Sequence, residues 1–271
     1  MGDKRVPKEL LASTILNQKE PILKSRVELL LKKGITPTLA IVWVGNNTSS
    51  EKFIRLKTNK AISLGINTKL FHLKEEIEEK ELKVLIEELA KNPEVHGIII
   101  QLPLPVHLNP DRFIRLIPKE KDVDGLRQDS PYLPPAARGV IELILQATPI
   151  KEKTLAVVGQ GRLIGEPLKR LLPTFSPKKV FYIDKKTKSP QKLTQQADIV
   201  ISATGVKNLI DASWLKDEVI LIDAAPGDIH PSAIQKASFY TPRVGALGPL
   251  TIFFLLENTV KAAEDLFKEN I

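Results

Sequence analysis

The chain has 271 residues, of which 42% are hydrophobic and 27% charged, enough to bury a sizeable core in one large domain or two ordinary ones. It contains no cysteine, which excludes disulfides, a thiolate nucleophile and any cysteine-based metal site. The formal net charge of +8 would suit nucleic acid or a small polyanion, but an aromatic content of only 5% argues against a stacking platform for single strands.

The stretch from Lys8 to Lys33 has an amphipathic helical pattern that the proline at position 21 is expected to interrupt. Thr38–Val44 reads as a strand ending in the turn Gly45-Asn46-Asn47. Thr48-Ser49-Ser50-Glu51 has the form of a capping box, so a helix is expected from there to Gly65, a suitable C-cap. On that helix Phe53, Lys57 and Lys60 fall on one face. Asn67–Leu73 is a second strand and Ile77–Asn92 another helix. The apolar run Gly97-Ile98-Ile99-Ile100 then reads as a buried parallel strand that delivers Gln101 into a loop stiffened by Pro103 and Pro105. The first half is thus β-α-β-α-β, which implies a parallel sheet. In such sheets ligands bind at the carboxyl ends of the strands.

Pro110–Ile117 is expected to be a short helix with Asn109 as its N-cap. Lys121-Asp122-Val123-Asp124-Gly125 follows, and its two acids would share a face if the segment were extended. The stiff connector Ser130–Pro135 leads into a helix over Ala136–Gln146, which marks a domain boundary. A second α/β unit then begins. Its strands are expected at Thr154–Val158, Lys179–Ile183, Ala197–Ala203 and Glu218–Asp223, and a closing helix at Thr251–Lys268. The acids interleaved with lysine in Lys74–Lys80 make much of the positive charge a solvated face. The starting residues lack the apolar core of a signal peptide and no run is long enough to span a membrane, so a cytoplasmic protein is expected.

Strand, glycine loop and helix follow one another at Val157–Gly165, the context a dinucleotide site needs. Gly159, Gly161 and Gly165 are spaced G-x-G-x-x-x-G, one residue longer than the commonest pattern, and a tight structural turn would account for them as well. Asp184, at the end of the next strand, is where an acid hydrogen-bonds the ribose hydroxyl of NAD and repels the 2′-phosphate of NADP; Lys185 and Lys186 beside it would partly compensate. The four histidines show no metal-ligand spacing, and no metal site is expected.

Together these segments resemble the bifunctional methylenetetrahydrofolate dehydrogenase/cyclohydrolase family over nearly the whole chain. The likeness rests on Gly97-x-x-x-Gln101-Leu102-Pro103-Leu104-Pro105, on Lys121–Gly125, and on Gly248-Pro249-Leu250-Thr251 leading to Leu256-Glu257-Asn258-Thr259. The resemblance implies two α/β domains with an active cleft between them. Residues 1–138, completed by 251–271, would form the catalytic domain, and residues 139–250 a Rossmann-like cofactor domain. It further implies oxidation of methylenetetrahydrofolate by NADP or NAD and hydrolysis of the methenyl product. Lys57 matches the catalytic lysine, Gln101 its partner and Asp124 the acid that anchors the pterin. Ser50, Phe53, Pro249 and Leu250 are expected at the substrate, and Gly159, Gln160, Gly161, Asp184, Lys185, Gly205 and Pro226 at the cofactor. A homodimer, a substrate with a polyglutamate tail, and neither nucleic acid nor membrane as partner are implied as well.

Some positions depart from the family pattern. Phe53 stands where the family has a tyrosine, which leaves stacking without a hydroxyl. Ala136, Arg243 and Ala246 also replace family residues, and Asp184-Lys185 replaces a His-Ser type pair. These changes keep open a dehydrogenase without efficient hydrolysis, or a relative that binds folate or nucleotide with weakened catalysis. A nucleic-acid-binding role has the net charge alone to support it.

Overall fold

The computed structural model describes residues 6–269. The chain divides into two compact units. One comprises the residues up to Leu16 together with Ala136–Thr251, and the other Asn17–Pro135 together with the chain from Ile252 onward.

The second of these holds a parallel sheet of β2 (Thr38–Val44), β3 (Asn67–Leu73) and β4 (Gly97–Ile100) in the order β3-β2-β4. Leu39 pairs with both Thr68 and Gly97, and the register runs without a break along β2. Every residue of β2 and β4 is buried, as their unbroken apolar sequences require of strands covered on both faces. Ala40, Val42 and Val44 pack with Ile98 and Ile100 against Leu82, Ile86 and Leu89 of α3 (Glu79–Lys91), which recur at helical spacing. Between β2 and β3 runs α2 (Thr48–Ser63). Its N-cap is Asn47, whose side chain accepts from Ser50 N at 3.0 Å, so the cap lies one residue before the expected box. Gly65 closes it at φ +77.

The other unit is a six-stranded, wholly parallel sheet. It contains β1 (Lys8–Glu9), β5 (Thr154–Val158), β6 (Lys179–Ile183), β7 (Ile199–Ser202), β8 (Val219–Asp223) and β9 (Ala237–Tyr240), in the order β1-β9-β8-β7-β5-β6. The chain leaves β5 for β6 on one side and then returns to build β7, β8 and β9 on the other. The strand order therefore reverses at β5/β7, the place where open α/β sheets take their ligands.

Two expectations are corrected here. The first helix, α1 (Ala12–Lys32), starts later than Lys8 and runs through Pro21 without a break. Residues 8–9 instead form β1, in which Lys8 pairs with Phe239 and Glu9 with Tyr240. Residues 8–9 thus extend the six-stranded sheet at its β9 edge. The last helix, α9 (Leu247–Glu269), begins four residues before Thr251. Among the described residues, no helix is long and apolar enough to cross a membrane.

Candidate active site

α2 buries a stripe made of Ser50, Ile54, Lys57 and Ala61. Its spacing is that of an ordinary core face, but two members are polar. Lys57 is 8% exposed, and its Nζ donates to Gln101 Oε1 at 2.9 Å. Gln101 follows β4 directly and extends the ladder, its N–H reaching Val42 O at 2.8 Å. Its own Nε2 donates to Leu102 O at 2.9 Å, which settles the end of the carboxamide that faces the lysine. The next peptide, Leu102–Pro103, is cis. Ser50 Oγ donates to the same Leu102 carbonyl at 3.5 Å. Phe53, one turn before Lys57, is 40% exposed. Lys60, one turn after it, pairs with Glu20.

Asp124 completes the cluster. Burial pushes its carboxyl pKa up, and the Lys57 ammonium opposes that shift. Burial likewise pushes the Lys57 amine below the ordinary lysine range, with the Asp124 carboxylate opposing. Each group thus limits the cost of burying the other.

The loop that presents Asp124 is a turn, so its two acids do not share a face. Lys121 Nζ caps the carbonyl of Asn92 at the end of α3, 2.7 Å away. Asp122 is buried, accepts from Arg127 N at 2.9 Å and Leu126 N at 3.3 Å, and has its pKa pushed up to about 6 by burial. Val123 packs on Gly97, where a Cβ would come within 2.8 Å of it. Gly125 adopts φ +64 with the Tyr132 carbonyl only 2.7 Å from where a Cβ would be, so no other residue fits. From α9, Asn258 Nδ2 donates to Val123 O at 2.8 Å and Leu133 O at 3.0 Å, clamping the loop from below. Sequence reading quoted Asn258 within a motif without giving it a role.

In the six-stranded unit a cavity of about 440 Å³ opens at the β5/β7 switch point. Gly159 (φ +97), Gln160 and Gly161 form its floor, Asp184, Lys185 and Thr187 one rim, and Ala203, Thr204, Val206, Leu209 and Trp214 the far wall. A Cβ on Gly159 would meet Ala203 O at 2.4 Å, and one on Gly165 would meet Gly159 O at 2.2 Å, whereas the space around Gly161 is open. Two glycines therefore close the turn, and the third leaves its backbone approachable. Gly165, absent from the expected site, is as necessary as Gly159. Gln160 folds inward, donating to Val157 O at 3.0 Å and Ile183 O at 3.3 Å, so its side chain braces the loop. Asp184 is exposed. Its Oδ1 accepts from Lys186 N and Thr187 Oγ1, both at 2.9 Å, and these bonds hold its pKa below the usual carboxylate range. The flat apolar wall, polar rim and approachable glycine backbone fit a dinucleotide.

Gly205 (φ +71) is exposed beside this wall, and Pro226 is exposed in the turn that Asp223 stabilises by accepting from Gly227 N at 2.9 Å. Pro249 and Leu250 lie in the first turn of α9. Leu250 is fully buried and packs against Gly139. The histidines have structural partners. His72 stacks on Trp43 with ring centroids 3.8 Å apart, His96 accepts from Thr38 N, His107 contacts Ile77 O, and His230 caps a short helix.

Comparison with known proteins fits this geometry. Residues 10–124 match the tetrahydrofolate dehydrogenase/cyclohydrolase catalytic domain, and residues 134–267 match the NAD(P)-binding domain of the same family. The bifunctional protein FolD of Bacillus subtilis is 34% identical over 280 residues, covering 94% of this chain and 99% of that protein. The crystal structure of the bifunctional FolD methylenetetrahydrofolate dehydrogenase/cyclohydrolase from Campylobacter jejuni superposes with a TM-score of 0.90 at 32% identity, covering 95% of this chain and 99% of that one. The Trypanosoma brucei enzyme, solved with NADP and an inhibitor, gives 0.89 at 25% identity, covering 96% and 98%. The chain is a member of the tetrahydrofolate dehydrogenase/cyclohydrolase family.

Proposed function

We propose that this protein oxidises methylenetetrahydrofolate to the methenyl form with NAD or NADP and hydrolyses that product to formyltetrahydrofolate. The observation that carries the reading is the buried Lys57–Gln101 hydrogen bond with Asp124 beside it.

Asp124, as a carboxylate, accepts from the amino and ring N–H groups of the pterin and fixes the ring. A bound dinucleotide would supply the hydride acceptor that converts the methylene bridge to a methenyl cation. Gly159, Gly161 and the Asp184 rim would hold the dinucleotide. Water then adds to the cationic carbon. Lys57, whose pKa burial lowers, takes a proton from that water when its amine is unprotonated and returns it to the ring nitrogen as the carbon–nitrogen bond breaks. Gln101 Oε1 accepts one N–H of the amine and so aims the nitrogen lone pair. Ser50 and Phe53 line the approach on α2.

The cofactor preference we infer is NAD, from the carboxylate of Asp184, against the family's tendency to NADP. Replacing Asp184 with Ser is expected to lower the NAD-to-NADP ratio of kcat/KM by about tenfold or more, the worth of a charge-assisted hydrogen bond to the ribose. An unchanged ratio would remove Asp184 from the cofactor site. The absent tyrosine hydroxyl at Phe53 favours a dehydrogenase stronger than its hydrolase. On the family likeness we also assign a homodimer, a cytoplasmic location and a polyglutamylated substrate drawn to the basic surface. Spectrophotometric assays of both half-reactions, with NAD and NADP side by side, test the reading. Folate binding without turnover would favour a relative that has lost catalysis.

A further inference from the structure

The far wall of the dinucleotide cavity is fixed from behind by an acid that does not line it. Asp228 is 1% exposed, and one of its oxygens, Oδ2, accepts three hydrogen bonds: from Ser202 Oγ at 2.7 Å, Thr204 N at 2.7 Å and Thr204 Oγ1 at 2.8 Å. Ser202 is the last residue of β7, and Thr204 belongs to the wall itself. Thr204 Oγ1 in turn accepts Val206 N at 3.1 Å. The backbone of Asp228 is anchored separately, its N–H on Ala225 O and its C=O on Ile210 N. The wall's N–H groups at Thr204 and Val206 are therefore drawn inward. Its cavity side is left to Ala203 and Val206, next to Leu209 and Trp214, an apolar surface suited to a flat heteroaromatic ring.

The coupling reaches the glycine loop too. The Ala203 carbonyl lies so close to Gly159 that there is no room for a single added carbon. A wall released by loss of Asp228 cannot shift toward that loop without displacing it.

We propose that Asp228 is a positioning residue for dinucleotide binding, acting through Ser202 and Thr204 on the Ala203–Val206 wall. The proposal rests on the dinucleotide reading of this cavity. Asp228→Ala leaves three donors without their acceptor behind the wall. It is expected to raise the KM for NAD at least about tenfold, with kcat at saturating NAD and the KM for methylenetetrahydrofolate within about twofold of the parent. Asp228→Asn keeps an acceptor oxygen in place and is expected to recover most of the lost affinity. Ser202→Ala removes one bond at the strand end, guards against an Asp228→Ala protein that does not fold, and is expected to raise the Kd for NAD by a few-fold in a fluorescence titration. A purely structural role would instead lower kcat by shrinking the active fraction and leave the KM for NAD alone. That result, or NAD binding within twofold of the parent in Asp228→Asn and Ser202→Ala alike when Asp228→Ala does not fold, overturns the proposal. Failure of the parent protein to bind either NAD or NADP would overturn it together with the dinucleotide reading, which separates the two failures.

Discussion

Lys57 occupies a position that the geometry of α2 reserves for a core side chain, between Ile54 and Ala61 on the buried stripe. A lysine so deeply buried has its charged form penalised, and Gln101 and Asp124 are what make the placement tolerable. The pH dependence follows from the two shifts. The amine is a base only above its own pKa, which burial has moved down; the carboxylate accepts from the pterin only above its pKa, which burial has moved up. The shifts are opposite, but both groups act in their deprotonated forms, so methenyl hydrolysis should rise with pH. The limb in kcat should have an apparent pKa below that of a free lysine, and the limb in kcat/KM an acidic group above the ordinary aspartate value. A pH–rate profile checks this, and a kcat limb at the ordinary lysine value would contradict it. The sequence identified Lys57 through its motif, whereas helical spacing alone showed only that it shares a face with Phe53 and Lys60. A stripe that mixes Ser, Ile, Lys and Ala at core spacing was the better signal.

At the scale of elements, the loop from Lys121 to Gly125 depends on support from elsewhere. Lys121 grips the end of α3, Asp122 turns the chain, and Asn258 of α9 holds two loop carbonyls. Removing that amide leaves both carbonyls buried without a donor, at about 1–3 kcal/mol each. Asn258→Ala should therefore destabilise the protein by about 2–6 kcal/mol and weaken folate binding, measured by thermal melts and a binding titration. A melt unchanged from the parent would show that the clamp is dispensable. This arrangement was legible only as a motif, because the contact joins residues more than a hundred positions apart. The long strands and helices were easier. β2, β4 and α3 each carry a local pattern, of unbroken apolar residues or of apolar residues at helical spacing, that leaves little choice. β1 carries no such pattern: two exposed polar residues become a strand only because β9 offers an edge.

Across the whole molecule, both sheets reverse their strand order, with β2 between β3 and β4 and β5 between β6 and β7, and both put their candidate chemistry at that reversal. The parallel architecture could be read from alternating strands and helices. The edge strand β1 could not, because Lys8 and Glu9 pair with a strand from the other end of the chain. Ser50, Lys57, Gln101 and Asp124 all lie in the three-stranded unit and the glycine loop in the other, so the hydrolytic step can be tested without the dinucleotide. The most direct measurement is the rate of methenyltetrahydrofolate hydrolysis by Lys57→Met, a change that keeps the length of the side chain and removes its base. The account predicts a fall of at least about a hundredfold, the worth of a positioned general base, with the protein still folded by its thermal melt. Hydrolysis at the parent rate would contradict it.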